Sequence, residues 1–329
     1  MSITLGIVMD PIESITPYKD TTLAMMLAAS ARGWTINCME QRSLYLDQGR
    51  SHATSRAVKV FDDNDHWFEA DTPREAPLAE NDIILMRKDP PFDMDFVYTT
   101  HILEHAAREG AYVSNRPGSL RDVNEKLATT WFSEFCPPTL VTASAERLKA
   151  FVSEHKDAII KPLDGMGGAG IFRLTPDDPN INIILEHSTL NNTRQIMAQR
   201  YVPEIRDGDK RVLVVNGKPM PFALARIPAQ GETRGNLAAG GRGVAVPVTD
   251  RERQIVDAIS PFLLEKGLLF VGMDVIGDYL TEINVTSPTC VRELDAHAHG
   301  LADAPPANSD GYRRGIADVY LDVLEEKIT

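Results

Sequence analysis

The stretch KPLDGMGGAGIF, Lys161 to Phe172, constrains the fold more than any other part of the chain. Gly165, Gly167 and Gly170 fall on the GxGxxG spacing of dinucleotide-binding turns. That turn needs a helix opening at its last glycine, with the helix N-terminus facing the pyrophosphate. No helix can follow here, because residues 171–174 are few and β-prone and Pro176 and Pro179 stop any continuation. Residues 158–160 before the loop also read as a strand, so the glycines form the tip of a β-hairpin. No G-K-S/T follows, which excludes a Walker A loop. Two readings stay open: a hairpin lying over a polyphosphate through its backbone N–H groups, as in protein kinases, or an ordinary flexible turn.

The 329 residues leave room for roughly two or three domains. A net charge of -13 argues against a nucleic-acid or anionic-membrane partner, although local basic pockets for phosphates stay open. Cys38, Cys136 and Cys290 are too few and too scattered for a disulfide framework or a zinc site. The N-terminal MSITLGIVMDP has no basic segment and only a short apolar run, so neither a signal peptide nor a membrane span is expected. A reducing cytoplasm is the simplest compartment.

The first third alternates strand and helix: strand 3–9, helix 20–32 closed by Gly33, strand 35–39, strand 82–86, helix 96–108, strand 111–114. In an α/β parallel sheet of this kind, ligands sit beyond the carboxyl ends of the strands. Asp10, Arg87 and Asn115 leave those ends; Arg87 faces a ligand or is a salt-bridged surface residue. A boundary is expected near 117–121, followed by a helix from Ser119 to about Phe135 that Cys136-Pro137-Pro138 ends. Beyond it the pattern turns to hairpins, with a surface loop at 302–310 and a final helix over 312–326.

Asn216-Gly217 is the strongest hairpin signal. A two-residue turn there pairs Val215 with Lys218, sets Arg211 opposite Phe222, and places Leu224 and Arg226 on the same face as Arg211. Two arginines on one half-buried face repel unless an anion lies between them, so they mark a phosphate or carboxylate pocket, or else paired surface salt bridges. In FVGMDVIGDYLTEINV, Asp274, Glu282 and Asn284 interrupt apolar strands. A three-residue loop at 277–279 brings Asp274 opposite Glu282 and a two-residue loop does not. If they converge, two carboxylates and an amide suit Mg²⁺ or Mn²⁺ on phosphates; the alternative is a hairpin with solvated carboxylates. Residues 227–243, with five glycines, Arg234, Asn236 and Arg242, read as a lid or as disorder. The eight histidines form no metal-spaced set, and no GxSxG elbow or Cys/His pair stands out. A missing protein nucleophile fits phosphoryl chemistry, where positioning and charge neutralisation dominate.

The order of these motifs resembles the ATP-grasp superfamily: Lys126 on a helix, KPLDGMGGAG, MAQRYVPEI, DGDKRVLVVNGKP, the glycine-rich loop, then MDVIGDYLTEINVTSPT. Within it the chain is similar to the bacterial glutathione synthetases over nearly its whole length, including LGIVMDPI and LMRKDPPFD, and least so over 296–311. Other ATP-grasp ligases, such as those joining two D-alanines, would share the nucleotide site but not LMRKDPPFD. The resemblance implies an ATP-grasp fold with an N-terminal Rossmann-like (pre-ATP-grasp) α/β substrate domain over 1–122. The ATP-grasp domain would follow over 123–329, with a lid subdomain near 130–200 and a mobile loop at 227–243.

The reaction implied joins γ-glutamylcysteine and glycine with ATP as co-substrate, giving glutathione, ADP and phosphate through an acyl phosphate, with Mg²⁺ or Mn²⁺ as cofactor. Lys126 and Lys161 would contact phosphates, with Lys161 also near the adenine, and Gly165, Gly167 and Gly168 would cover the phosphates. Gln199, Tyr201 and Val202 would read the adenine edge, and Asp209 the ribose. Arg211, Arg226 and Arg234 would stabilise charge in the transition state, and Asp274, Glu282 and Asn284 would hold the metal. Asp10, Arg87, Asn236, Ser287 and Thr289 would hold the dipeptide. A cytoplasmic homotetramer without nucleic-acid or membrane partners is the assembly the family implies.

Overall fold

The computed structural model describes residues 2–232, 235, 240–301, 308 and 311–329. The first third forms a mixed sheet with the order Leu44–Asp47, Arg50–Val60, Thr35–Glu40, Thr4–Met9, Ile83–Met86, Tyr112–Ser114. The last four of these strands are parallel. Parallel strands covered on both faces are apolar throughout, and Ile83 to Met86 are all buried. Helix Thr21–Ala31 starts where the Asp20 side chain accepts from Leu23 N at 2.6 Å. Helix Met94–Arg108 starts in the same way, Asp93 accepting from Phe96 N at 2.9 Å. The α/β alternation expected from sequence is therefore present, with an antiparallel flank (Leu44–Asp47, Arg50–Val60, Phe68–Ala70, Arg74–Pro77) that the periodicity did not signal.

The helix expected from Ser119 to about Phe135 is broken. An α-helix covers Pro117–Asp122, and 3₁₀ turns cover Leu127–Phe135 with Phe132 outside helical geometry. Asn124 restarts the chain between them: its Oδ1 accepts from Lys126 N at 3.1 Å and Leu127 N at 2.9 Å.

Two antiparallel sheets follow. One has the order Phe172–Leu174, Ala158–Pro162, Ile196–Arg200, Thr139–Thr142; the other Arg242–Pro247, Lys218–Ile227, Asp209–Val215, Phe270–Ile276, Tyr279–Asn284. Helix Asp250–Lys266, opened by a Thr249/Glu252 capping box, packs on the five-stranded sheet with Ile255, Ile259 and Leu263 fully buried. Asn115, which reads as a strand-end residue facing a ligand, is instead a joint. Its Nδ2 donates to Phe270 O at 2.8 Å and Val285 O at 2.9 Å, and its Oδ1 accepts from Leu269 N and Phe270 N.

The last helix is Ile316–Ile328, four residues later than expected, because Asp318 Oδ2 accepts from Gly315 N and from the Tyr312 hydroxyl and fixes the start at Gly315. It returns to the first third, where Arg32 meets Asp318 at 3.2 Å, Asp322 at 2.6 Å and Glu325 at 3.2 Å. Most of the expected surface loop at 302–310 lies outside the described residues. Among the described residues no helix is long and apolar enough to cross a membrane.

Candidate active site

The opening glycines form the expected hairpin tip, with Ala158 paired to Leu174 and Ile160 to Phe172. Gly167, Gly168 and Gly170 have φ of 63°, 82° and 71°, the left-handed region that side chains resist. Gly165 is needed for a different reason: a Cβ there would lie 2.9 Å from Pro162 Cγ. The loop lines a cavity of about 110 Å³ with Lys126, Lys161, Gln199, Tyr201, Val202, Asp209, Asp274 and Glu282. Every nucleotide-site residue expected from sequence, apart from Arg211 on the adjoining wall, is in that set.

Both lysines are buried. Lys126 Nζ donates to Gly165 O at 2.7 Å and Lys161 Nζ to Thr281 O at 3.1 Å, and each lies 3.7 Å from Glu282 Oε1. Burial pushes the Lys161 ammonium below its usual range, and Glu282 opposes that shift. Arg173 lies over the Tyr201 ring, 3.8 Å from its centroid, while pairing with Asp157 at 2.6 Å, which fixes the aromatic wall of the cavity.

The Asn216-Gly217 turn pairs Val215 with Lys218 as expected, but Arg211 faces Leu224 rather than Phe222. An irregularity between Val212 and Val214 shifts the register by two residues, and a shift of two leaves every side chain on its original face. Arg211 and Arg226 therefore still share a face. The anion between them is Asp274: Arg211 Nε donates to its Oδ1 at 2.5 Å and Arg211 Nη2 to its Oδ2 at 3.0 Å, while Arg226 Nη2 lies 2.9 Å from Oδ2. Gly272 makes this possible, since a Cβ there would sit 2.7 Å from Arg211 Cδ. Arg226 Nη2 also donates to Asp209 Oδ2 at 2.5 Å. Burial alone would raise the Asp274 carboxyl, but the two guanidiniums outweigh it and hold it far below the usual carboxylate range. For Asp209 burial wins, assisted by Asp274 and Glu282, and pushes it up to about 6.

Asp274 does face Glu282, by a route other than the expected three-residue loop. The turn has two residues, Gly277 and Asp278, with Ile276 paired to Tyr279. A bulge beside Asp274 then absorbs Thr281 and restores the Asp274–Glu282 pair. Thr281 Oγ1 donates to Asp274 O at 3.1 Å, and its carbonyl takes the Lys161 bond.

A second cavity, about 500 Å³, adjoins the first along Gly165, Met166, Gly167, Asp274 and Glu282. Asp10, Arg87, Arg211, Arg226, Asn284, Ser287 and Thr289 line it, so the strand ends of the first third and the chain after the last sheet strand meet there. Arg87 is buried, not a surface residue; it donates to Thr22 Oγ1 at 3.2 Å and Pro288 O at 2.9 Å. Asp10 pairs with Lys88 at 2.9 Å, and Ser287 Oγ donates to Arg87 O at 3.2 Å. Arg234 and Asn236 lie outside the described residues. The connection expected to run from 227 to 243 is shorter than that, because Ile227 pairs with Arg242 and Arg226 with Gly243 in the ladder.

Among the described residues no cluster of three His, Cys, Asp or Glu side chains is arranged for a metal. The donor set at Asp274, Glu282 and Asn284 nevertheless fits a hard cation that also binds phosphate oxygens: two carboxylates on paired strands, and an amide whose Nδ2 is committed to Gly272 O at 3.0 Å, leaving Oδ1 to ligate. Sequence reasoning missed Glu125, whose Oε1 accepts from Val285 N, Thr286 N and Thr286 Oγ1. A carboxylate adjoining Lys126 was the available signal.

A glycine hairpin over buried lysines, set against a sheet carrying paired arginines and carboxylates, defines the class: an ATP-grasp ligase. Residues 3–121 match the N-terminal domain of prokaryotic glutathione synthetase and residues 125–299 its ATP-grasp domain. Glutathione synthetase of Pseudomonas aeruginosa is 60% identical over 295 residues, covering 90% of this chain and 93% of the relative. That of Pseudomonas syringae pv. tomato is 54% identical over 328 residues, 100% of this chain and 98% of the relative. A solved D-cycloserine synthetase (TM-score 0.66, 14% identity, 99% of this chain and 100% of that one) shares the fold alone. So does D-alanyl-alanine synthetase A of Vibrio cholerae (TM-score 0.56, 12% identity, 99% and 98%). The chain belongs to the prokaryotic glutathione synthetase family, and is an ATP-using, ADP-forming ligase of glutathione synthesis.

Proposed function

We propose that the two adjoining cavities hold ATP and γ-glutamylcysteine so that the γ-phosphoryl group and the cysteinyl carboxylate meet beside Arg211 and Arg226. The continuity of the two cavities along Gly165–Gly167, Asp274 and Glu282 carries this reading. A carboxylate resists amine attack because its leaving group would be an oxide dianion. Its oxygen therefore attacks the γ-phosphorus, ADP departs, and an acyl phosphate forms. The neutral amine of glycine then adds to the acyl carbon, phosphate leaves with the C–O electron pair, and the amine proton is released as the amide forms. Charge spreads over the phosphoryl oxygens in the first step and onto the acyl oxygen in the second, next to the Arg211 and Arg226 guanidiniums. Lys126 and Lys161 orient the phosphates, and the glycine loop offers backbone N–H groups to them.

Asp274, Glu282 and Asn284 would hold Mg²⁺ or Mn²⁺, which supplies charge neutralisation between phosphates. Gln199, Tyr201 and Val202 bound the adenine and Asp209 the ribose; Asp10, Arg87, Ser287 and Thr289 hold the dipeptide, with Asn236. The 227–243 segment, with Arg234, shields the intermediate from water. The division at 122, a lid near 130–200, a homotetramer and a cytoplasmic location complete the reading, all resting on family membership. Its test is ADP release from Mg-ATP and γ-glutamylcysteine with and without glycine, with the product weighed. Turnover that needs both amino-acid substrates and yields the glutathione mass supports it; turnover only with other dipeptides or amines overturns the substrate assignment.

A further inference from the structure

The tripeptide Asn124-Glu125-Lys126 touches both cavities and has no helix of its own. Lys126 reaches the glycine loop at Gly165 O and Asn124 Nδ2 donates to Leu163 O at 3.0 Å, so these two residues grip the start of the nucleotide cover. Glu125 points the other way. Its Oε1 accepts three bonds, from Val285 N at 2.8 Å, Thr286 N at 3.0 Å and Thr286 Oγ1 at 2.8 Å, and its carbonyl accepts from Ile283 N at 2.8 Å. Two successive backbone N–H groups and a hydroxyl converging on one ionised oxygen make a stiff, charge-assisted clamp. The clamped pair lies between Asn284 on one side and Ser287 on the other.

We propose that Glu125 is a positioning residue of this ligase: it fixes residues 284–287 against the lysine beside it, and so sets the distance between the dipeptide carboxylate and the phosphoryl group. Asn124 is the opposite arm, holding the glycine loop. The inference rests on the ligase reading above. It assigns a separable role to each side chain, since the Glu125 carboxylate bonds Val285 and Thr286, next to Ser287 of the dipeptide wall, and the Asn124 amide bonds Leu163 on the nucleotide side. A clamp of this kind acts through geometry, and a misplacement of about 1 Å costs about a hundredfold in rate.

The test uses the full chain with ATP and γ-glutamylcysteine varied separately. Wild-type turnover in the same assay establishes the ligase reading, so its failure and that of the clamp are distinguishable. Glu125→Ala should lower kcat/KM for the dipeptide by about tenfold to a hundredfold and leave the ATP dissociation constant within about threefold. Glu125→Gln keeps an acceptor oxygen for the same three donors and should recover most of that loss. Asn124→Ala should show the reverse split, raising the KM for ATP more than that for the dipeptide. Should Glu125→Ala not fold, Thr286→Val removes one of the three donors with little change in volume and should weaken dipeptide use in the same direction. Equal losses on both substrates, a Glu125→Gln variant as poor as Glu125→Ala, or unchanged dipeptide kinetics would each overturn the proposal.

Discussion

Two clusters in this molecule set arginine among several carboxylates, and they do different things. At the end of the chain, Arg32 meets Asp318, Asp322 and Glu325, and the last two are nearly half exposed. Arg32 faces all three acids, with Arg314 also on Asp322, no cavity opens between them among the described residues, and the result is a dock of the last helix on the first third. In the cleft, Arg211, Arg226, Lys126 and Lys161 alternate with Asp274, Asp209 and Glu282, all little exposed and all along cavity walls. These ion pairs border open volume on the side away from their partners, so the guanidinium and ammonium groups are within reach of the cavities rather than sealed between packed elements. Counting ion pairs does not separate the two clusters. Burial and access to a cavity do.

The largest effect should come from Arg226→Ala, with kcat falling about 10²–10³-fold as a charge-stabilising donor is lost and ATP affinity kept within about tenfold. Steady-state kinetics beside nucleotide binding would read both numbers, and an unchanged kcat would make the cleft cluster another dock. Glu282→Gln should raise the metal concentration needed for half-maximal turnover about tenfold or more; overlapping Mg²⁺ titrations would remove Glu282 from the metal set. Arg32→Ala should cost about 1 kcal/mol of stability, seen as a lower Tm, while kcat stays within about twofold of wild type. A large activity loss there would blur the comparison.

The smallest effect concerns pH. Asp209 is held up to about 6, above its ordinary 3.8, chiefly by burial and against the pull of Arg226. A carboxyl that grips its proton more tightly when folded lends stability below about pH 4, and that contribution is lost as pH rises through about 6. Asp274, held low, acts in the opposite sense and contributes stability that is lost in acid. Asp209→Asn should therefore gain in Tm relative to wild type between about pH 4 and about pH 7, measured by thermal melts at both; a constant difference would place the titration elsewhere.

Local chemistry made much of this legible. The hairpin tip at Gly165–Gly170 and the shared face of Arg211 and Arg226 follow from period-two alternation and turn rules, whereas the Asp274–Glu282 pairing was left open by them. Their registers did not follow, because the irregularity at Val212–Val214 and the bulge at Thr281 carry no composition signal of their own. The break at Asn124 was hidden for another reason. Residues 119–135 contain no glycine or proline, and it is a side chain bonding to the backbone that redirects the chain. The role of Asn115 as a joint, and the return of the last helix, depend on partners more than 150 residues away, which no local pattern contains.

That return has a consequence for biosynthesis. Arg32 leaves the ribosome 293 residues ahead of Glu325, about 15–60 s at ordinary elongation rates. During that interval helix Thr21–Ala31 lacks the cover that Leu321 and Leu324, both fully buried, later supply. A segment made early is thus finished late, and a nascent chain stalled or clipped before Leu321 would leave helix Thr21–Ala31 open to chaperones and proteases.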